Sequence, residues 1–220
     1  MKGIIVNVIN MKTVLCFGDS NTRGYNPINL GRYPIDVNYP GVLQNILGSE
    51  YHVIEEGLDR RTTMLLRNDE PFRNANYYIR PCICSHKPID YLIVMLGTND
   101  CFKAFNLSTE DIARGMDSLI QLIHKYCMEH QEYIPKIILA VPPCLDINYH
   151  NSAVADELDD DSVRKSKELY KYYKIIAEKH GCIYFDANEY VKVMLPDAIH
   201  LSPESHKKLA QEFAKIIKEN

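Results

Sequence analysis

Short runs of apolar and β-branched residues recur along the chain, separated by longer stretches in which polar and apolar positions mix. Runs of this kind, bounded by polar or turn-forming residues, are typical of buried β-strands. The pattern predicts five strands, over residues 13–17, 52–56, 91–96, 136–141 and 182–185.

Helical periodicity occupies several of the intervals between these runs. The clearest pattern covers residues 109–129, which Ser108 can cap, because apolar residues recur there at spacings of three and four. The residues that share this apolar face are Ile112, Met116, Leu119, Ile123 and Cys127.

Three further segments carry helix signals. One runs from about residue 163 to 180 and stops at Gly181, and a weaker one follows Pro40. Another opens at Ser202-Pro203, where a capping residue precedes a proline at the first helical position. The buried face predicted for that last helix consists of Leu209, Phe213 and Ile216.

Strands that alternate with helices form βαβ units, which require a parallel sheet covered on both faces. We therefore predict a three-layer α/β/α sandwich around a five-stranded parallel sheet. A chain of 220 residues has the length of one domain, so we expect a single domain over 1–220. Residues 1–11 are a candidate N-terminal extension, because the first strong strand follows them.

Composition narrows the range of partners. The chain has 25 Lys and Arg against 29 Asp and Glu, a formal net charge of −4. This balance argues against nucleic acid and against an anionic membrane surface, and favours a small-molecule substrate. No stretch approaches the roughly 18 apolar residues of a membrane helix, and the N-terminal run lacks a signal-peptide cleavage pattern. We expect a cytoplasmic protein.

The seven cysteines are scattered and odd in number, which does not indicate a disulfide framework. Most are interpreted as small buried hydrophobes in a reducing compartment. The close pair Cys82-Ile-Cys84 lacks the spacing of a zinc knuckle and has no second pair to complete four ligands. The sequence thus predicts no metal and no cofactor.

Residues 144–163 form a long polar insertion with an acidic cluster. Loops of this length are often functional or mobile. Two interpretations stay open: a solvated surface excursion and a lid over a substrate.

Candidate chemistry lies just after the predicted strands, where open parallel sheets bind ligands. Gly18-Asp19-Ser20-Asn21-Thr22 follows the first strand and places a serine on a tight turn. Such a serine can act as a nucleophile, with its own N–H directed at a developing oxyanion. The motif alone fits a Ser/Asp helix cap equally well.

The next two strand ends offer hydrogen-bond donors. Gly57 follows the second strand and can present a backbone N–H without a side chain in the way, although a turn glycine is the commoner explanation. Asn99, in Gly97-Thr98-Asn99-Asp100, can donate from its carboxamide into the same cleft, or simply form a turn.

Asp197-Ala-Ile-His200 precedes the last helix. The spacing lets the carboxylate hold the imidazole Nδ1–H while Nε2 faces the serine. Asp186 is a lower-ranked rival acid, because an aspartate at a strand-end turn is common. His206 is interpreted as a surface or packing residue, since Asp197, His200 and His206 lack a convincing zinc-ligand pattern.

These blocks, in this order, resemble the SGNH hydrolases, also called the GDSL esterase and lipase family, over residues 12–217. The resemblance implies a flavodoxin-like sheet and a serine ester hydrolase. It assigns Ser20 as nucleophile, His200 as general base and acid, and Asp197 as the residue that orients it. The implied oxyanion hole consists of Ser20, Gly57 and Asn99.

The segments Val-Leu-Cys-Phe-Gly-Asp-Ser, Val-Ile-Glu-Glu-Gly-Leu with Arg61-Thr62-Thr63, and Val-Met-Leu-Gly-Thr-Asn-Asp look like the intracellular arylesterase and acyltransferase branch. This likeness implies short acyl esters, acetyl above all, cleaved through an acyl-enzyme. Acyl transfer to an alcohol is also compatible with it, and we expect a homo-oligomer. The residues expected to contact substrate are Asp19, Asn21, Tyr25, Cys101, Phe102 and Pro143.

Three positions depart from the family pattern. Asn21 replaces a usual leucine, Glu55 stands where the secreted branch has asparagine, and Ala198 replaces a common glycine. The alanine is tolerated if its φ is negative.

The sequence argues against two other classes of enzyme. No serine has the flanking glycines of an α/β-hydrolase elbow, and the phosphate-binding glycine motifs are absent. The remaining alternative is a catalytically silent module that binds a sugar or an anion at the Gly-Asp-Ser turn.

Overall fold

The computed structural model describes residues 11–64 and 70–220, so the candidate extension, apart from Met11, lies outside the described residues. The strands of the described part are β1 (Lys12–Gly18), β2 (Tyr25–Asn26), β3 (Gly31–Arg32), β4 (Tyr51–Gly57), β5 (Tyr91–Met95), β6 (Lys136–Val141) and β7 (Ile183–Asp186). Its α-helices are α1 (Ser20–Arg23), α2 (Tyr39–Leu47), α3 (Ala75–His86), α4 (Thr109–Gln131), α5 (Asp160–His180) and α6 (Pro203–Glu219).

All five predicted strands pair in one parallel sheet, in the order β4-β1-β5-β6-β7. Gly18 at the end of β1 is level with Gly57 in β4 on one side and with Met95 in β5 on the other. After β1 the chain adds β4 on one side of it, and then adds β5, β6 and β7 in turn on the other side. The strand order therefore reverses at β1, and open sheets of this kind bind ligands beside such a point.

Alternating side chains of the strands feed two separate cores. Leu15, Phe17 and Val94 face the layer that contains α3, α4 and α5, whereas Val14 and Cys16 face α2 and α6. The predicted three-layer sandwich is confirmed. No described helix is both long and apolar enough to cross a membrane.

The helix signals are confirmed with shifted ends. The Ser108 hydroxyl caps α4 by accepting from the Asp111 N–H at 3.1 Å. In return, the Asp111 carboxylate accepts from the Ser108 N–H. Helix α5 begins at Asp160 rather than 163, and Asp159 caps it. The acidic cluster of the insertion thus supplies the first turn of a helix, where negative charge is stabilising.

Two details differ from the sequence expectation. Helix α3 was not predicted, because Pro81 lies inside it and removes one backbone donor, and polar residues interrupt its apolar pattern. In α6 the buried position is Ile217, while Ile216 is only partly buried.

Gly97 begins the turn that carries Asn99. Its φ is 119°, and a Cβ built there would lie 2.5 Å from the hydroxyl of Tyr173. That hydroxyl donates to the Leu96 carbonyl at 2.9 Å and is itself fully buried. A glycine is therefore required here on two grounds, backbone conformation and space.

We expect Gly97→Ala to lower the free energy of unfolding by more than Gly48→Ala, measured by urea denaturation. Gly48 also has a positive φ, 75°, but a Cβ there meets nothing within 4 Å. Its ψ is −163°, in a region that residues with a side chain rarely adopt. The control therefore reports the backbone strain alone, about 1–3 kcal/mol, and Gly97→Ala adds roughly 1–3 kcal/mol of overpacking. Equal losses in the two variants would contradict the steric argument.

Candidate active site

Ser20 occupies the first position of the short helix α1, directly after β1. Asp19 caps this turn by accepting from the Asn21 N–H at 2.9 Å, and burial raises the pKa of Asp19 to about 6. The motif thus forms a helix cap, which was the structural alternative offered by the sequence. The cap also fixes the serine at the end of β1, an inner strand of the sheet.

The structure brings Ser20, His200 and Asp197 together in one chain of hydrogen bonds. The Ser20 hydroxyl lies 2.8 Å from His200 Nε2, and His200 Nδ1 lies 2.5 Å from Asp197 Oδ2. A proton on Nδ1, shared with the carboxylate, leaves Nε2 free to accept from the serine. The geometry equips the imidazole to withdraw the serine proton.

Asp197 is held in its ionised form by its neighbours. Burial alone would raise the pKa of Asp197, but hydrogen bonds from the His200 ring and from the Ile199 and His200 N–H groups keep that pKa below its usual value. The Tyr25 ring packs on the other side of the imidazole, with the two ring centroids 4.4 Å apart. The imidazole is therefore held by both a carboxylate and an aromatic ring.

Ala198 corrects one expectation. Its φ is 64°, in the left-handed region, not negative as the sequence interpretation required. Its N–H donates to the Met194 carbonyl at 3.1 Å and its own carbonyl accepts from the Asp146 N–H at 3.0 Å. These main-chain bonds hold an alanine in a conformation that costs about 1–2 kcal/mol, so the Asp–His arrangement persists without glycine.

Asn99 lies in the wall of the same cavity. One hydrogen of its Nδ2 is donated to the Arg61 carbonyl at 3.0 Å, which leaves the second hydrogen of the amide for a ligand. The Ser20 N–H donates to no acceptor among the described residues. Two donors are therefore available beside the Ser20 hydroxyl.

The structure does not bring Gly57 into this set. Its N–H donates to the Glu55 carboxylate at 2.8 Å, and the space where a Cβ would project is filled by the backbone of Arg23, 2.1 Å away. The glycine serves close packing of β4 against α1. The prediction of Gly57 as an oxyanion donor fails because the acid two residues earlier binds the same N–H.

Arg61 is a central residue that the motif analysis named only as part of Arg61-Thr62-Thr63, without assigning it a role. Its guanidinium is only 2% exposed, lies 4.3 Å from the centroid of the Phe17 ring, and donates to the Gly18 carbonyl at 2.8 Å and to that of Glu56. Burial lowers its pKa. Arg61 therefore ties the ends of β1 and β4 together, and its own carbonyl holds Asn99.

A cavity of about 180 Å³ opens in front of the Ser20 hydroxyl. Tyr25 and Phe102 form part of its wall, as predicted. The remaining lining residues, most of which the motif analysis missed because they lie in loops without a sequence signature, are Pro27, Leu30, Asp59, Arg60, Asn99, Ala153, Val154, Glu157, Pro196, Ile199 and the Ser–His–Asp residues.

Four residues predicted to contact substrate lie outside that wall. Asp19, Asn21, Cys101 and Pro143 are buried and absent from the cavity lining. Cys101 turns inward, with its thiol 3.3 Å from the Gly97 carbonyl. Proximity in sequence to a strand end placed these residues near the site but did not reveal the direction of their side chains.

Asn21 positions the loop that carries His200. Its Nδ2 donates to the Ile199 carbonyl at 3.2 Å and its Oδ1 accepts from the Leu201 N–H at 3.1 Å. The asparagine that replaces the family's leucine therefore binds the backbone on both sides of the histidine.

His206 and Asp186, the two lower-ranked candidates, have structural roles in the fold. His206 is fully buried between Tyr33 and Tyr39, accepts from the Tyr39 N–H at 3.3 Å, and has a pKa lowered to about 3 by burial. It is a packing residue. Asp186 accepts from the Asn188 N–H at 3.0 Å and caps a turn at the end of β7.

The insertion contributes to the cavity. Ala153, Val154 and Glu157 line it, and Arg60 holds Glu157 at 3.0 Å. The Lys103 N–H also donates to the Glu157 carbonyl at 3.3 Å. The segment before α5 is thus a wall of the site, which favours the substrate-covering interpretation over a surface excursion.

The model of the GDSL-like lipase/acylhydrolase family matches residues 16–208. The chain belongs to this family. The match confirms the resemblance to the SGNH hydrolases, and it makes the chain a carboxylic ester hydrolase by family.

Similar proteins with a stated activity act on esters. The "Acetylxylan esterase" of Xylanibacter ruminicola is 27% identical to this chain over 223 residues. The match covers 93% of this chain but only 43% of that protein. The aryl esterase of M. smegmatis and Est24, a carbohydrate acetylesterase from Sinorhizobium meliloti, are solved structures. Each is 32% identical with a TM-score of 0.87, over 94% of this chain and 99% of theirs.

We expect Asn21→Leu to lower the free energy of unfolding by about 2–4 kcal/mol, because it leaves the Ile199 carbonyl and the Leu201 N–H buried without their partner. Urea denaturation measures this loss. The control is Asn148→Leu, since the exposed Asn148 amide bonds only the Asp146 carboxylate, and it should change stability by less than about 0.5 kcal/mol. Equal stabilities of Asn21→Leu and the parent would contradict the positioning role.

Proposed function

We propose that the chain is a serine esterase that cleaves short-chain acyl esters, acetyl esters above all, through an acyl-enzyme intermediate. The observation that carries this proposal is the hydrogen-bonded chain from Ser20 through His200 to Asp197, which opens into the cavity. A silent binding module has no need of a general base held against a serine hydroxyl.

The reaction proceeds in two steps. The Ser20 oxygen attacks the ester carbonyl while His200 Nε2 takes its proton, and the resulting tetrahedral intermediate collapses as His200 returns the proton to the leaving alcohol. Water then attacks the acyl-serine as His200 Nε2 takes one of its protons. The second tetrahedral intermediate collapses as His200 returns this proton to the Ser20 oxygen, and the free acid leaves. Asp197 stabilises the imidazolium that forms in each step.

The oxyanion that forms in both steps needs donors in the cavity wall. Ser20 supplies its N–H and Asn99 its second amide hydrogen. In place of Gly57 we assign the main-chain N–H of Arg60, which lines the cavity and donates to no described acceptor. Arg60 has a φ of 62°, a conformation that a residue with a side chain keeps only where its surroundings impose it.

The choice of acetyl esters rests on the likeness to named esterases, and the cavity accommodates them. It holds about 180 Å³, bounded by Tyr25, Leu30, Val154 and Ile199. An acetyl group fits beside the serine, and burying its methyl group against these walls is favourable. The names of the similar proteins, which include an acetylxylan esterase and a carbohydrate acetylesterase, agree with acetyl esters.

The decisive experiment is hydrolysis of p-nitrophenyl esters from acetate to octanoate by the parent and by Ser20→Ala. We expect faster hydrolysis of acetate than of octanoate, and no activity above background in the variant. Ser118→Ala, which changes a serine on α4 away from the cavity, serves as the control and should retain parental activity.

Labelling by a fluorophosphonate distinguishes the alternative. The parent and Ser118→Ala should be labelled on Ser20, and Ser20→Ala should not. A folded parent that neither hydrolyses any ester of the series nor reacts with the label would support the binding module instead.

Asn99→Ala tests the oxyanion assignment separately. We expect kcat for p-nitrophenyl acetate to fall by about 10²–10³, with a much smaller change in KM, because the lost hydrogen bond strengthens in the transition state. Circular dichroism should show the variant folded. A kcat equal to that of the parent would remove Asn99 from the reaction.

A further inference from the structure

A cluster of metal-ligating side chains lies outside the cavity. Among the described residues, one group of three His, Cys, Asp or Glu side chains converges closely: the carboxylate of Glu56, the thiol of Cys82 and the imidazole of His86 have ligand atoms within 4.8 Å of one another. None of them lines the cavity of Ser20. The esterase reaction leaves this group unexplained.

The fold holds the three side chains on two elements. Glu56 is the penultimate residue of β4, while Cys82 and His86 lie in the second half of α3. Their spacing of four residues puts both side chains on the same face of the helix, the face toward β4. The helix was not recognisable from the sequence, and the ligand set was not visible with it.

The donor types favour one class of ion. A carboxylate oxygen, a thiolate sulfur and an imidazole nitrogen together suit Zn²⁺, whereas Mg²⁺ and Ca²⁺ prefer oxygen alone. Ligand atoms around tetrahedral zinc lie roughly 3.3–3.8 Å apart. A pair near the 4.8 Å limit must therefore close by about 1 Å, whereas His86 Nε2 and Glu56 Oε1, which lie 2.7 Å apart, must separate by about 0.5 Å. Cys82 is buried, and Glu56 and His86 are partly exposed, so a water molecule can reach the fourth position.

The charges nearby permit a divalent cation. Glu56 and a Cys82 thiolate contribute two negative charges against the single positive charge of Arg61, whose guanidinium lies 4.0 Å from the Glu56 carboxylate. One Arg61 nitrogen is already committed to the Gly18 and Glu56 carbonyls. Metal binding at the Glu56 side chain therefore breaks neither of these main-chain bonds.

A purely structural explanation covers part of the cluster. His86 Nε2 lies 2.7 Å from Glu56 Oε1, and this hydrogen bond links α3 to β4 without any metal. Cys82 packs in the hydrophobic core beside this pair, and its thiol, which makes no hydrogen bond among the described residues, lies close to the same carboxylate and imidazole. A third ligand atom at a paired carboxylate and imidazole is the arrangement that a metal clip requires.

We propose that Glu56, Cys82 and His86 form a zinc site that clips α3 to β4. As the ion binds, the sulfur–zinc bond replaces the S–H bond of Cys82, whose proton leaves to solvent. His86 Nε2 gives up the hydrogen bond that it donates to Glu56, the imidazole proton moves to Nδ1 through solvent, and the Nε2 lone pair binds the metal. Because Arg61 links the Glu56 and Gly18 carbonyls, the clip supports the strand ends from which Ser20 follows.

The test is a titration of the metal-free full chain with Co²⁺, a spectroscopic substitute for Zn²⁺. We expect one equivalent to bind with a thiolate-to-cobalt charge-transfer absorption in the near ultraviolet, which Zn²⁺ then abolishes by displacement. Cys82→Ala should lose this absorption. Cys84→Ala removes an exposed thiol from the same helix two residues away and should keep it.

His86→Gln provides a second variant, at a partly exposed position that tolerates change. It should weaken Co²⁺ binding by more than about 10-fold. Zn²⁺ should raise the melting temperature of the parent and of Cys84→Ala, but not that of Cys82→Ala. The absence of the charge-transfer absorption in the parent, or its survival in Cys82→Ala, would overturn the proposal. Neither result depends on ester hydrolysis.

Discussion

The contact between the Ser20 hydroxyl and His200 joins two segments 180 positions apart in the chain. Neither segment can reach the other without the sheet, since Ser20 follows the inner strand β1 and His200 lies in the loop before α6. Asn21 closes the remaining gap, because its amide binds the backbone on both sides of the histidine. The chemistry thus depends on one polar side chain buried between the two loops.

A second buried group, the Arg61 guanidinium, performs the same task on the other side of the serine. It holds the carbonyls at the ends of β1 and β4, and its own carbonyl orients Asn99 at the end of β5. Burying a cation is costly unless partners replace its water. Here two main-chain carbonyls accept from one guanidinium nitrogen and the Phe17 ring lies close to the cation, while the buried Nε–H has no acceptor among the described residues. Three strand ends are therefore fixed by a single residue.

The sequence was sufficient where local pattern and strand topology determine the outcome. The five strands and the cap at Ser108 follow from periodicity, and the rule that parallel strand ends share an edge brings Ser20 and Asn99 together. The placement of Asp197 and His200 beside Ser20 rested on their spacing and on the family resemblance. The sequence failed where tertiary contacts decide: the Glu55 carboxylate takes the Gly57 N–H, Asn21 turns toward a loop instead of the cavity, and main-chain bonds impose a positive φ on Ala198.

The segment before α5 differs in kind from the rest of the cavity. Ala153, Val154 and Glu157 shape the cavity without contributing any group to the Ser–His–Asp chain. It is held to the loops after β4 and β5 by an exposed ion pair and one backbone bond, both made by Glu157. During evolution the segment before α5 can therefore change in sequence or in length, which alters the range of substrates. The reacting groups and the residues that position them stay the same.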